Sequence, residues 1–350
     1  MKLSDELLAR AMRLMPQNAA KLVANATFAP VFTGNDRFVY CKEYFEEDKK
    51  LCVYTEVSLS TGEQRELPDY TPPVPETDCV RSPDGSRAAF VRDCNLFVRD
   101  SASGAERQLT FDGCLHNAYA SRSEGDTEFV RDTIAGKVPM PYVIWSPDSR
   151  RLFTHRLDER AVKELHLLQN VPEDGLRPRL YTYRYAFAGD EQVPQCHYYV
   201  IDTDTAESHP VQIPPDESGE TPSYASSPKA EWISNDELLC LRMQRDFLRA
   251  EVYFVCAQTG EATLFFAEES DSFLFFDRQS GQHYTPETPA WQKKLFRWSP
   301  SRQCLYWLSE RDGWFHLWAH PRTGEPRLLT PGDYQVRELL YLDEAAGKLY

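Results

Sequence analysis

The sequence predicts an all-β fold: a β-propeller of four-stranded antiparallel blades, preceded by a short N-terminal helix. Three observations carry this. Short strand-like runs, each closed by a turn of Gly, Asn, Asp or Ser, fill the chain after about residue 20. A unit that opens on Trp-Ser-Pro recurs at Trp145 and Trp298, with weaker copies elsewhere. Aromatic residues make up 13% of the 350 residues against only 16 glycines, which suits packed sheet rather than disorder.

The helix is expected within segment 1–20, where Leu3, Leu7, Leu8, Met12 and Met15 recur near one helical turn and Ser4 stands at the cap. Residues 21–350 are expected to form the propeller. A degenerate copy of the unit spans Phe28 to Leu67. The clearest copy runs from Arg81 to Thr110. Its Pro-Asp-Gly turn leads into a strand at Ala88–Val91, a tight turn at Asp93–Asn95 into a second at Leu96–Arg99, and a turn at Ser101–Gly104 into a third near Arg107–Leu109. Trp145-Ser-Pro-Asp-Ser repeats the opening. Trp232-Ile-Ser-Asn-Asp begins a weaker copy that continues through Val252–Val255. Trp298-Ser-Pro-Ser repeats the whole unit through Phe315–Trp318 and Thr323–Thr330. One sheet of four short strands cannot bury both of its faces, so such units stack on one another around an axis. Trp145 and Trp298 are therefore expected to pack between blades.

Two insertions interrupt the repeat, Val162 to His197 and 214–224, and insertions of this kind commonly carry function. At the end, Glu338–Leu342 and Lys348–Tyr350 read as two arms of a hairpin with Asp343–Gly347 as its turn. A chain that stops inside the second arm leaves an open edge, so a fragment of a longer protein is expected.

The net charge of -15 argues against a nucleic-acid partner, because phosphate binding needs a basic face. No apolar run approaches the ~18 residues of a membrane helix. Asp5 and Glu6 stand where a signal peptide would carry cations, and no apolar core follows, so a cytoplasmic location is expected. The nine cysteines are scattered, odd in number and without a Cys-x-x-Cys pair, which predicts free or buried thiols in a reducing compartment and no zinc. No metal or other cofactor is indicated.

Three stretches go further. They are Trp145–Arg160 followed by His166-Leu-Leu-Gln169; Arg177–Asp190 with its Tyr185-x-x-x-Gly189-Asp190 ending; and Trp307-Leu-Ser-Glu-Arg-Asp-Gly-Trp-Phe-His-Leu-Trp318 followed by Leu329–Val336. Together they resemble the N-terminal domain of the dipeptidyl peptidase IV family of serine peptidases, from about residue 20 to the end. The resemblance implies seven or eight blades in the intact protein, incomplete here, and a following α/β-hydrolase domain that this chain lacks. It implies peptides as substrates, the protein's own hydrolase domain as partner, a homodimer when full length, and release of N-terminal dipeptides after Pro or Ala. The propeller would gate and orient the peptide.

The chain itself carries no nucleophile elbow. Gly-x-Ser-x-Gly sets the serine on a tight turn free of side chains, and none of the 16 glycines is followed two residues later by Ser. No catalytic residue is assigned, His155, His166 and His316 are read as strand or loop residues, and the chain alone is expected to be inactive. Members of the family that release dipeptides hold the substrate ammonium with two adjacent glutamates just ahead of Trp-Ser-Pro. The corresponding stretch, 125–136, has no such pair; Glu128 and Asp132 are its candidate substrate-binding residues. This departure leaves two other readings open. One is a stand-alone propeller that binds partners through the Val162–His197 insertion. The other is the propeller of an endopeptidase or acyl-peptidase of the prolyl oligopeptidase group.

Overall fold

The computed structural model describes residues 12, 23–25, 30–34, 36–46, 49–72, 78–125, 129–137, 140–172, 175–217, 229–274, 296–336, 339 and 341–350. Met12 is helical, but the rest of the expected N-terminal helix lies outside the described residues, as do Glu128 and most of 214–224. The chain divides into two compact units, Met1–Pro75 and Glu76–Tyr350.

Among its described residues the first unit has a four-stranded antiparallel sheet in the order β1 (Val31–Phe32), β2 (Arg37–Glu46), β3 (Lys49–Ser58) and β4 (Gln64–Glu66). This is the degenerate copy expected between Phe28 and Leu67. Strands β2 and β3 pair without interruption from Arg37↔Ser58 to Glu46↔Lys49. That register sets Cys41 opposite Tyr54 and Cys52 opposite Glu43, so the two cysteines are diagonal neighbours and form a disulfide with Cα atoms 6.0 Å apart. The expectation of free thiols throughout is corrected for this pair; the other seven cysteines are free. Spacing alone hides the bridge, because only the hairpin register brings the two residues together.

Among the described residues the second unit holds four sheets and two hairpins. The first sheet runs β5 (Cys79–Arg81), β6 (Arg87–Arg92), β7 (Asn95–Asp100), β8 (Glu106–Gln108), close to the strands the Arg81–Thr110 unit predicts. The second comprises β10 (Val143–Trp145), β11 (Arg151–Asp158), β14 (Gln195–Asp202) and β15 (Ser208–Pro210), with β9 (Asn117–Tyr119) also paired to β11. Between β11 and β14 the chain makes a separate hairpin, β12 (Glu164–Gln169) and β13 (Arg179–Arg184). The third sheet runs β16 (Ala230–Trp232), β17 (Glu237–Met243), β18 (Arg249–Cys256), β19 (Ala262–Glu269). The fourth runs β20 (Phe296–Ser299), β21 (Cys304–Ser309), β22 (His316–Pro321), β23 (Arg327–Leu328). A last hairpin pairs β24 (Leu342–Asp343) with β25 (Lys348–Leu349).

Side chains alternate along these strands, and the two sets go to different cores. In β17, Leu239, Leu241 and Met243 join β18 residues and Phe296, Trp298, Leu305 and Trp307 of the fourth sheet. Leu238 and Cys240, between them in sequence, pack instead with Phe153, Tyr198 and Val200 of the second sheet. Leu152 and Ile201 turn the other way, toward Ala89, Leu96 and Val98 of the first sheet. Tyr306, Leu308 and Leu317 face Leu342 and Leu349 of the last hairpin. Every core in this series lies between successive elements, and each large apolar side chain buried there contributes roughly 1.5–3 kcal/mol.

Polar pins hold the same junctions. Trp145 Nε1 donates to the Val80 carbonyl at 3.0 Å, and Trp232 Nε1 donates to the Ile144 carbonyl at 3.1 Å, so opening strand follows opening strand. Trp145 and Trp298 do pack between sheets. The Ser-Pro turns are built alike. Ser82 Oγ donates to Asp84 at 2.6 Å and accepts the Arg87 amide at 3.0 Å; Ser146 does the same with Asp148 at 2.5 Å and Arg151 at 2.8 Å. In the last copy Ser301 stands where Asp would, and Glu344 of the β24–β25 turn supplies the carboxylate, accepting from Ser299 at 3.0 Å and from Ser301.

Replacing Trp145 by Phe keeps the ring in its core and removes only the bond to Val80. A loss of about 1–2 kcal/mol in urea unfolding is expected, and an unchanged midpoint would show that the bond does not hold the two sheets.

Candidate functional site

The second sheet departs from its neighbours at β11. One edge of β11 is shared by two short strands: Leu152–Thr154 pair with β10, and Arg156–Asp158 pair with β9. The chain between β9 and β10 leaves the sheet there. Its neck is closed by the Ala120 amide on the His155 carbonyl at 2.8 Å and the Tyr142 amide on the Ala120 carbonyl at 3.0 Å. This first excursion carries the loop Ser121–Gly125 and a short helix, α1 (Phe129–Ile134). The second excursion begins after Asp158, returns at Gln195 and contains the β12–β13 hairpin. It is the ordered form of the insertion expected between Val162 and His197.

The two excursions meet at a pair of glutamates. Glu159 follows β11 and is buried. Ser123 Oγ donates to its Oε1 at 2.7 Å, and the Glu124 amide donates to both of its oxygens at 3.3 Å. Burial pushes the Glu159 carboxyl up to about 7; the Ser123 bond and the Glu124 amide oppose the rise, and the Glu124 charge adds to it. Glu124 itself accepts the Arg184 amide at 2.7 Å and faces His116 Nδ1 at 2.6 Å. Arg184 Nη1 reaches the Val162 carbonyl at 2.8 Å and so closes the base of the hairpin. Behind this junction His155 is fully buried, with Nε2 on the Ser121 carbonyl at 2.7 Å. Burial pushes its pKa down to about 4, so the imidazole is neutral near pH 7.

Asp132, the described one of the two predicted site residues, lies in α1 about one turn beyond the loop. Arg122 Nη1 holds it at 2.8 Å and Lys137 Nζ at 2.9 Å, and these cations keep its carboxyl below the usual range. Glu128 lies outside the described residues. Glu124, Glu159 and Arg184, which join the excursions, were not singled out by sequence reasoning. The only signal was indirect: both insertions flank one strand, and Leu157-Asp-Glu-Arg160 ends it. His155 and His316 sit in β11 and β22, and His166 in β12, as expected of strand residues.

The Ser309–Trp314 run has a second role. Glu268 of β19 accepts from Trp307 Nε1 at 2.7 Å, Ser309 Oγ at 2.5 Å and Arg311 Nη2 at 2.7 Å. A cavity of about 280 Å³ opens beside them, lined by Glu268, Glu269, Phe273, Ser309, Arg311 and Phe315. His316, which follows the lining residue Phe315, faces Asp312 at 2.8 Å and the Gly332 carbonyl at 3.0 Å.

The Glu159 carboxyl titrates higher in the folded chain than in the unfolded one. Its stabilising effect is therefore full below about pH 4.5 and fades as pH rises toward about 7. Glu159→Gln removes that fade. The variant should match the parent near pH 4.5 and exceed it at pH 8 by up to about 3 kcal/mol in urea unfolding. His155 and His320, both pushed down to about 4 chiefly by burial, act with the opposite slope in parent and variant alike, so the difference isolates Glu159. Equal pH dependence of the two chains would contradict the assignment.

Residues 51–350 match the family described as dipeptidyl peptidase IV (DPP IV) N-terminal region. A curated relative from Aspergillus fumigatus (strain CBS 144.89 / FGSC A1163 / CEA10), named probable dipeptidyl peptidase 4, is 24% identical over 339 residues, covering 94% of this chain and 39% of that protein. The crystal structure of Porphyromonas gingivalis dipeptidyl peptidase 4 superposes with a TM-score of 0.58 at 19% identity, over 90% of this chain and 40% of that one. The chain thus spans about 40% of the length of these relatives. Four-stranded antiparallel sheets that share cores with their neighbours in the second unit, and a family match over residues 51–350, make this chain a member of the dipeptidyl peptidase IV N-terminal region family.

Proposed function

We propose that this chain is the non-catalytic propeller part of a serine exopeptidase, gating and orienting peptides for a downstream α/β-hydrolase domain that removes N-terminal dipeptides after Pro or Ala. The observation that carries the reading is the meeting of two excursions from β11 at one acidic junction, in a chain whose relatives are named dipeptidyl peptidases. A propeller needs no such excursions to pack its blades, and here they place carboxylates beside a loop and a short helix.

The cation that Asp132 holds supports this reading. Its Oδ1 holds the Lys137 ammonium, and the Lys137 side chain is 62% exposed. A peptide's terminal ammonium exchanges for that lysine without uncovering a charge, and Asp132 with Glu128 then replaces the adjacent glutamate pair. A charge-assisted hydrogen bond of this kind is worth roughly 1.5–3 kcal/mol.

On the intact protein, Asp132→Asn should raise KM roughly tenfold or more for dipeptide anilides with a free amino terminus and leave kcat within about twofold. An unchanged KM would remove Asp132 from the substrate site. Absence of Gly-x-Ser-x-Gly from the reading frame beyond Tyr350 would remove the peptidase reading itself.

A further inference from the structure

The turn between β6 and β7 pairs Arg92 with Asn95 around Asp93 and Cys94. Both central residues are left-handed, Asp93 with φ 49° and Cys94 with φ 64°. Two-residue hairpins require that twist, and glycine usually supplies it at the second position. A cysteine there carries strain of roughly 1–2 kcal/mol.

The loop that follows β8 folds onto this turn. The Gly113 amide donates to Asn95 Oδ1 at 2.9 Å, and the Tyr119 amide donates to the Cys94 carbonyl at 3.0 Å. Gly113 comes so close that a Cβ on it would stand 2.1 Å from the Cys94 carbonyl oxygen, so no other residue fits there. Cys114 follows directly, its backbone paired to Asn117 in both directions at 3.1 and 2.9 Å. The backbone thus sets Gly113, the neighbour of Cys114, directly against Cys94; Cys114 is exposed and Cys94 half-buried. Burial is the main cause of the rise in the Cys94 pKa, and the neighbouring Cys114 adds to it.

We infer that Cys94 and Cys114 form a dithiol pair that closes to a disulfide under a small-molecule disulfide oxidant. The exposed Cys114 thiolate attacks one sulfur of the oxidant, expelling one thiolate and forming a mixed disulfide. Cys94, giving its proton to solvent, attacks the Cys114 sulfur and expels the second thiolate. The two cysteines together lose two electrons and two protons, and the oxidant leaves as two thiols. The bond staples the β6–β7 turn to the loop that carries His116. His116 faces Glu124, and its carbonyl receives the Glu159 amide at 2.8 Å, so closure fixes one wall of the acidic junction. This inference stands apart from the peptidase reading.

The test is peptide mapping of the whole chain after exposure to oxidised glutathione, alkylation of remaining thiols and non-reducing trypsin digestion. Cleavage after Arg92, Arg99, Arg107 and Arg122 releases Asp93–Arg99 and Gln108–Arg122, each with a single cysteine. The expected result is one linked pair of these peptides, lighter by two hydrogens than their sum and split by reduction. In Cys94→Ser, Cys114 should be recovered only as its glutathione adduct. Recovery of both peptides from the parent chain as separate alkylated or glutathionylated species, or linkage of either to a different cysteine, would overturn the proposal. The parent chain alone decides the matter if the variant does not fold.

Discussion

A short four-stranded antiparallel sheet has two faces and too little width to keep either dry. The second unit solves this by giving each face to a different neighbour. In β17 the assignment changes with every residue: Leu238 and Cys240 go to the sheet before, Leu239 and Leu241 to the sheet after. Register is then fixed by packing, because a slip of one residue would send every apolar side chain to the wrong core. The tryptophan bonds to Val80 and Ile144 add direction to the same junctions.

The candidate site follows from how little freedom this packing leaves. Both faces of the second sheet are buried, so excursions leave it along its edges and strand ends. The first leaves where β9 hands the edge of β11 to β10, and the second where β11 ends. They converge because they leave β11 only a few residues apart, the first beside His155 and the second after Asp158. The buried carboxyl of Glu159 is the consequence. The Ser121–Gly125 loop covers it, and hydrogen bonds from Ser123 and Glu124 offset part of the desolvation. A buried Lys229–Asp216 ion pair at 3.0 Å, completed by Tyr198 and the Met243 amide, shows the same pattern at the next junction. There too the buried charge is paired and hydrogen-bonded on several sides.

Much of the fold was legible because its signals are local. Pro-Asp-Gly and Asp-Cys-Asn mark turns, and the short apolar run Ala88–Val91 between them marks a strand, so the first sheet of the second unit was readable almost residue by residue. The β12–β13 hairpin was not. Glu-Leu-His-Leu-Leu-Gln is exposed along most of its length, and among the described residues this strand pairs only with its hairpin partner. The site was less legible still. Leu157-Asp-Glu-Arg160 reads as a polar turn, and the group that buries Glu159 lies 35 residues earlier. Glu344 standing in for the missing aspartate of the third Ser-Pro turn, and Cys41 bonding Cys52, depend in the same way on register that a single sequence does not display.

If neighbouring sheets share their cores, damage to one must be felt in the next and fade beyond it. The direct measurement is hydrogen exchange of the whole chain carrying Trp307→Ala. Trp307 is fully buried in the core between the third and fourth sheets and also holds Glu268 of β19. Shared packing requires amide protection to fall in β17 to β19 as well as in β21, and to persist in β6 and β7. Loss confined to the fourth sheet, or equal loss throughout the second unit, would contradict it.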